Sequence, residues 1–335
     1  MAGRFIAMLV AMETLSTRTP APLLFAPAGQ QSLADEVAAG LATTASPLEE
    51  RDFEDGEHKL RLTADAGGGD CYILQSLHAH GGFGVNDRLV RTLFLAGALR
   101  DHGAARVTAV LPYLAYARKD RRTKPGDALS SRYIAQLIEA MGVERVLALD
   151  VHNPAAFENA FRIPARNLQA GPALLEAWLG DTTGGPFVVL SPDAGGYKRA
   201  ERLREQLATR LGEQPGIGFM EKKRSGGVVS GDTLVGRVDG CTVCIVDDLV
   251  SSGGTLARAA EACMRAGARE VVALVTHGLF TGNAAQTLND SPITRMYLTD
   301  SVRGQARGAL PASERLSWVS AAPLLAQGIA AAAAC

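Results

Sequence analysis

The chain has 335 residues, 47% hydrophobic and 21% charged, and its 34 Lys+Arg against 35 Asp+Glu leave a formal charge of -1. That length suits two domains of ordinary size, and the apolar fraction is enough for two cores. A near-neutral balance excludes a broad polyanion-binding surface, so no nucleic acid is expected as a partner and phosphate recognition must come from local groups.

Residues 5–12 are apolar and follow Arg4, but Glu13 comes next and no small-residue cleavage site is evident, so secretion is not expected. No apolar run approaches the roughly 20 residues that span a bilayer, and no membrane partner is expected. The five cysteines, Cys71, Cys241, Cys244, Cys263 and Cys335, form an odd and scattered set. Cys241 and Cys244 have CxxC spacing, but without a second pair they read as core packing in a cytoplasmic protein.

After a 20-residue extension, residues 23–25 read as a short strand, and Ser32 can cap a helix over 33–41. RDFEDGE, residues 51–57, places Phe53 among charges. It is either a solvated turn or a stacking platform. Strands are expected over 72–77, 107–111 and 146–151, with helices over 87–100 and 131–141. The strand at 107–111 leads into YLAYARKDRR at 113–122, the most basic cluster of the chain, and the strand at 146–151 ends in Asp150 and His152. These two are candidate metal or water-mediated metal ligands, or a structural pair.

The second half repeats the plan. A strand at 187–190 runs into SPDAGG (191–196), where Asp193, Gly195 and Gly196 at the start of a helix over 197–211 form a small anion nest. A strand at 217–220 runs into EKKR (221–224) beside a glycine-rich loop, the composition of a lid closing over polyphosphate. Residues 242–246 then read as a buried strand, leading to Asp247 and Asp248 and the loop Leu249 to Thr255. Gly253 and Gly254 let backbone amides approach an anion, Ser251, Ser252 and Thr255 offer hydroxyls, and the next helix offers its positive end. Two carboxylates beside a phosphate are tolerated only if they bind sugar hydroxyls or a metal, so a phosphorylated sugar with vicinal hydroxyls meets both demands. A strand over 270–276 completes the unit, whose ligands belong beyond the carboxyl ends of the strands. The pattern predicts an α/β fold of two similar domains, each with a mostly parallel sheet flanked by helices. Their expected spans are 21–163 and 164–317, with a helical tail at 318–335.

VDDLVSSGGT at 246–255 resembles the phosphoribosyl-pyrophosphate motif shared by type I phosphoribosyltransferases and ribose-phosphate diphosphokinases. RDFEDGE, LPYLAYARKDRR, LALDVH, LSPDAGG, EKKR and VTHGLFTGNA, in that order, resemble the diphosphokinases (phosphoribosyl pyrophosphate synthetases) over nearly the whole chain from Leu23. The resemblance implies two phosphoribosyltransferase-like domains and transfer of a diphosphoryl group from ATP to the anomeric hydroxyl of ribose 5-phosphate. It implies ATP held by Phe53, Asp55, Glu57, Arg118, Lys119 and Asp120, and Mg2+ around His152 and Asp193. It further implies diphosphate at Asp193, Gly195 and Gly196, and ribose 5-phosphate at Asp247, Asp248, Ser251, Ser252, Gly253, Gly254 and Thr255. Lys222 and Arg224 match the family's catalytic cations, and Phe53, Asp55 and Glu57 would reach a neighbour's ATP site in a homo-oligomer, a hexamer being one candidate state. Lys119 and Ser251 depart from the residues common there, glutamine and aspartate. No GxxxxGK[ST] occurs, so ATP would be used without a P-loop. A type I phosphoribosyltransferase and a noncatalytic regulatory homologue are the competing readings.

Overall fold

A computed structural model describes residues 21–182, 184–225, 228–303 and 313–334, with the side chains of 222–232 and 313 excepted. In the first half, β1 (Leu23–Phe25), α1 (Gln31–Gly40), β2 (Ala45–Ser46), β3 (Leu48–Asp52), β4 (His58–Leu62) and β5 (Asp70–Leu74) precede α2 (Val85–Asp101) and β6 (Arg106–Leu111). Then come α3 (Ser130–Ala140), β7 (Arg145–Leu149), α4 (Pro154–Ala160) and β8 (Ala165–Leu168). The sheet has the order β2-β1-β5-β6-β7-β8 with every neighbouring pair parallel.

The second half contains α5 (Gly171–Asp181), β9 (Phe187–Ser191), α6 (Tyr197–Leu211), β10 (Gly216–Ser225), β11 (Val228–Val235) and β12 (Thr242–Val250). It continues with α7 (Gly254–Arg265), β13 (Glu270–Gly278), α8 (Ala284–Asn289), β14 (Arg295–Thr299), β15 (Leu316–Val319) and α9 (Ala322–Ala333). Its sheet order is β11-β10-β9-β12-β13-β14-β15, parallel except for the β10–β11 hairpin.

Central strands read as unbroken apolar runs because helices cover both faces of each sheet. Successive side chains serve different cores. Along β12 and β13, Val243, Ile245, Val271 and Ala273 enter a core closed by α7, whereas Cys244, Val246, Val272 and Leu274 enter a second core. That second core is shared with the first half: Leu24, Tyr72, Val110 and Leu147 lie in it beside Phe187 and Val189. Trp178, packed edge-on against Phe187 with centroids 5.2 Å apart, is its largest fully buried side chain.

The division of the chain differs from the expected boundary near residue 164. β8 pairs with β7, so the first sheet extends beyond residue 163. The terminal helix α9 packs its Leu325 and Ile329 face into the shared core with Leu33 and Val37 of α1. Gly328 permits its close approach, since a Cβ there would stand 2.8 Å from Leu168 Cδ1. An alanine-rich helix has little polar surface, and burial against the first half is where its apolar faces go.

Two charged stretches read from sequence as turn and loop are hairpins. Residues 48–62 form the antiparallel β3–β4 ribbon with Phe53 to Glu57 at its tip. Glu221–Ser225 continue β10 and pair with β11, with an irregular register between Lys223 and Arg224.

Candidate active site

Strand β12 extends four residues beyond its expected end, so Asp247 and Asp248 are strand residues. Both line the same cleft. Asp248 is buried, Asp247 less so. Arg199, in the first turn of α6, spans both, with Nη1 3.1 Å from Asp248 Oδ1 and 3.4 Å from Asp247 Oδ1. From the first half, His152 Nδ1 meets Asp248 Oδ2 at 3.0 Å. The carboxylate can only accept, so Nδ1 carries the proton and Nε2 is the nitrogen available to a ligand.

These contacts drive the two carboxyls apart. Burial and the neighbouring Asp248 charge push Asp247 well above the usual carboxylate range, with Arg199 opposing them. Burial also acts upward on Asp248, but the His152 hydrogen bond and the Arg199 charge outweigh it and hold that carboxyl below the usual range. The same hydrogen bond raises the His152 pKa against the effect of burial. The same surroundings therefore push two adjacent carboxyls in opposite directions.

Beyond β12 the chain turns through Ser251 and Ser252 into α7. Gly253, at φ 79°, is the hinge of that turn, and a Cβ there would stand 2.7 Å from Leu288 Cγ. Both conformation and space demand glycine. Ser251 Oγ lies 2.8 Å from Thr281 Oγ1, and Thr281 N–H donates to the Ser251 carbonyl at 3.0 Å, so β13's following loop fixes the turn. A second cradle forms at the end of β9. Asp193 Oδ1 accepts from Gly196 N–H at 3.0 Å, Ser191 Oγ donates to the Asp193 carbonyl at 2.6 Å, and α6 starts at once. Gly196 has no room for a side chain, since a Cβ would be 2.6 Å from Ser191 Oγ.

The two cradles face one cleft of about 1110 Å³ between the halves. Of the expected site residues, it brings together Arg118, Asp120, His152, Asp193, Gly195, Gly196, Asp247, Asp248, Ser251, Ser252, Gly253 and Thr255. Gly254 is the first residue of α7. Asp120 Oδ2 accepts from Asn153 Nδ2 at 2.7 Å, which ties the basic loop to the His152 segment. Lys119 instead pairs with Asp127 Oδ2 at 2.6 Å, an oxygen that also accepts from the Thr123 and Lys124 amides. Lys119 does not line the cleft. Lys222 and Arg224 lie on β10, and their side chains fall outside the described residues.

Phe53, Asp55 and Glu57 are not brought to this cleft. They are exposed at the tip of the β3–β4 hairpin, which Phe53 N–H closes onto the Glu57 carbonyl at 2.8 Å. Asp55 Oδ1 accepts from Glu57 N–H at 3.0 Å, and the Arg51 guanidinium stacks 4.6 Å from the Phe53 ring centre. Below the tip, Arg91 of α2 binds Glu50 and Asp52 of β3.

Arg199 is the site residue that sequence reasoning missed. Its helix reads YKRAERLREQL, where charges on an amphipathic helix look like a solvated face. A usable signal was its position, three residues after the Gly195–Gly196 nest and within the first helical turn.

Among the described residues no three His, Cys, Asp or Glu side chains converge as a metal cage. Magnesium seldom needs one, since it keeps several waters and takes one or two carboxylates with substrate phosphates. Asp193 as an oxygen donor, with His152 across the same cleft, fits that requirement.

Residues 23–142 match the family model of the N-terminal domain of ribose phosphate pyrophosphokinase, and residues 219–330 match the phosphoribosyl synthetase-associated domain. The chain is 34% identical over 301 residues to a ribose-phosphate pyrophosphokinase of Caldanaerobacter subterraneus subsp. tengcongensis, covering 89% of this chain and 90% of that protein. It is 36% identical over 272 residues to the protein of that name from Bradyrhizobium diazoefficiens, covering 81% and 82%. The crystal structure of phosphoribosylpyrophosphate synthetase from Mycobacterium smegmatis superposes with a TM-score of 0.83 at 30% identity, over 93% of this chain and 98% of that one.

Proposed function

The chain belongs to the ribose-phosphate pyrophosphokinase family, and we propose that the cleft between its two halves makes 5-phosphoribosyl 1-diphosphate from ATP and ribose 5-phosphate. The anomeric hydroxyl of the sugar attacks the β-phosphorus, the bond from that phosphorus to the bridging α,β-oxygen breaks, and AMP leaves with the electron pair while the hydroxyl proton is released. The observation that carries the assignment is that two anion cradles, at Asp193 to Gly196 and at Ser251 to Thr255, open on one cleft with a carboxylate pair beside them.

Each part has a task suited to its chemistry. The Ser251 to Thr255 turn and the start of α7 hold the 5-phosphate through backbone amides and hydroxyls. Asp247 and Asp248 accept the vicinal hydroxyls of the ribose. The Asp193 to Gly196 cradle receives the diphosphate, and Arg118 with Asp120 orients the nucleotide. Asp193, with His152 through a water, would hold Mg2+, which when bound supplies charge neutralisation on the transferring phosphates. Lys222 and Arg224 supply cations that act as charge develops, which is where most catalysis in phosphoryl transfer arises. His152 is held in one tautomer by Asp248, so its Nε2 keeps a fixed place before substrates arrive.

Phe53, Asp55 and Glu57 complete the ATP site of a neighbouring subunit in a homo-oligomer, consistent with their exposure on a preformed hairpin tip. The protein acts in the cytoplasm on small molecules. Among the described residues no helix is long and apolar enough to cross a membrane.

The deciding experiment incubates the purified chain with ATP, ribose 5-phosphate and magnesium and identifies the products. AMP and 5-phosphoribosyl 1-diphosphate in equal amounts are expected. ADP with a bisphosphorylated ribose would mean attack at the γ-phosphorus, and absence of turnover would reject the synthetase reading. Shared sites are tested by mixing Asp55→Ala and Lys222→Ala proteins after dissociation. Activity should return on reassociation, and continued inactivity after proven subunit exchange would place each site in one chain.

A further inference from the structure

Two residues that this chemistry does not use, Thr276 and His277, close β13 and are 2% and 3% exposed. Each bonds to the first half. Thr276 Oγ1 donates to Asp150 Oδ2 at 2.6 Å, and that oxygen also accepts from Ala170 N–H at 3.0 Å. His277 Nε2 donates to the Leu149 carbonyl at 2.9 Å, while Nδ1 accepts from the Ser301 hydroxyl at 2.8 Å. A carbonyl can only accept, so the tautomer is set and both ring nitrogens are satisfied. Tyr113 closes the pocket with its ring edge-on at 5.2 Å.

The position of these bonds is their significance. Leu149 ends β7, the third residue after it is His152, and Asp150 between them has φ 38°, an unfavourable backbone for a residue with a Cβ. Such a conformation persists only where its surroundings over-determine it, and here the Asp150 carboxylate is held by the Ala170 amide at the start of α5 and by Thr276 of β13. On the other side, His277 is paired in register with Leu249, next to Asp248. The seam continues through the short Ser76 Oγ contact to the Ser301 carbonyl and through His78 Nε2 to the Arg303 carbonyl at 2.8 Å.

We propose that Thr276 and His277 are positioning residues for the transfer reaction: by binding Asp150 and Leu149 they lock the register between the two sheets, which sets His152 of one against Asp248 of the other. The proposal rests on the reading of the cleft as the active site. Loss of the lock leaves the sugar cradle on β12 and α7 whole, because both belong to the second half, but misplaces the groups that the first half contributes. A misplacement of about 1 Å can cost about 10²-fold in rate.

The test compares His277→Leu, His277→Gln and Thr276→Val in the full chain, measuring kcat, both KM values and hydrogen exchange in peptides covering residues 145–152. Leucine fills the space without hydrogen bonds, glutamine returns an N–H near the place of Nε2, and valine replaces Thr276 without its hydroxyl. Expected are a kcat loss of about 10²-fold in His277→Leu and about 10-fold in Thr276→Val, with the ribose 5-phosphate KM within about threefold. Exchange in 145–152 should quicken in both, and His277→Gln should recover most of the rate. The proposal is overturned if Thr276→Val folds normally with unchanged kcat and exchange, or if KM for ribose 5-phosphate rises while kcat holds. It is also overturned if His277→Gln is folded yet as impaired as His277→Leu. Should His277→Leu fail to fold, Thr276→Val decides. A wild-type protein without turnover would strike the proposed function, and the exchange measurement would still judge the lock.

Discussion

Replacing Arg199 by Ala removes the guanidinium that spans Asp247 and Asp248. Its Nη1 stands 3.1 Å from Asp248 Oδ1 and 3.4 Å from Asp247 Oδ1. At an effective dielectric of about 20, unit charges at such distances attract by about 5 kcal/mol, and desolvation offsets much of that. Breaking a buried pair by deleting one partner costs about 3–5 kcal/mol. Here His152 still serves Asp248 and the Arg199 side chain is 20% exposed, so a stability loss of about 2–3 kcal/mol is expected. Asp247, already pushed up by burial and its neighbour, loses the charge that opposes the shift and moves further up, which weakens it as an acceptor. A hydrogen bond to a charged acceptor is worth about 1.5–3 kcal/mol, so ribose 5-phosphate should bind about 10- to 10²-fold more weakly. Titration calorimetry with ribose 5-phosphate alone, beside thermal melts, measures both quantities without ATP. Arg199→Lys, which keeps charge but not the fork, should fall between. Wild-type affinity and an unchanged Tm in Arg199→Ala would refute the reasoning.

Lys222→Ala or Arg224→Ala should lower kcat by about 10²- to 10³-fold with little effect on ribose 5-phosphate binding, because a cation aimed at developing charge acts in the transition state. A change confined to KM would reject that role. Gly253→Ala should cost about 1–3 kcal/mol in urea melts and weaken sugar-phosphate binding, since it meets both a left-handed φ and Leu288 at 2.7 Å. Gly240→Ala, left-handed at φ 68° but with nothing within 4 Å, should cost only the backbone share and spare binding. For pH, burial lowers the His78 pKa from 6.5 to about 4. The unfolded chain therefore takes up this proton first, and stability is full above pH 6.5 and falls as pH drops from 6.5 toward 4. The loss from this group between pH 7.5 and 5 is about 2 kcal/mol, and urea midpoints of His78→Gln should show a pH dependence smaller by that amount. Equal slopes in the two proteins would count against it.

Local periodicity determined much of this protein by itself. The apolar runs at 107–111, 187–190 and 242–246 and the helix at 197–211 stand where composition and spacing put them, because buried parallel strands and amphipathic helices leave short-range signatures. The two glycine turns were equally legible, since glycine at a strand-to-helix turn is a local requirement visible at Gly196 and Gly253. The β3–β4 and β10–β11 hairpins were not. The β3–β4 ribbon carries exposed charges and lacks the apolar alternation that marks a strand, and in both hairpins the pairing is a property of two segments together. Tertiary structure alone decided that α9 joins the first half and that the halves share a core, because an alanine-rich helix can pack on any apolar surface. It also decided the partners of the charged groups. Beyond its place in the first helical turn after Gly195 and Gly196, nothing in the sequence says that Arg199 spans Asp247 and Asp248 while Arg210 pairs with Glu176 at the surface, or that Lys119 turns to Asp127. Charge pairing depends on distances of a few ångströms between residues far apart in the chain, and only the folded arrangement of the sheets sets those distances.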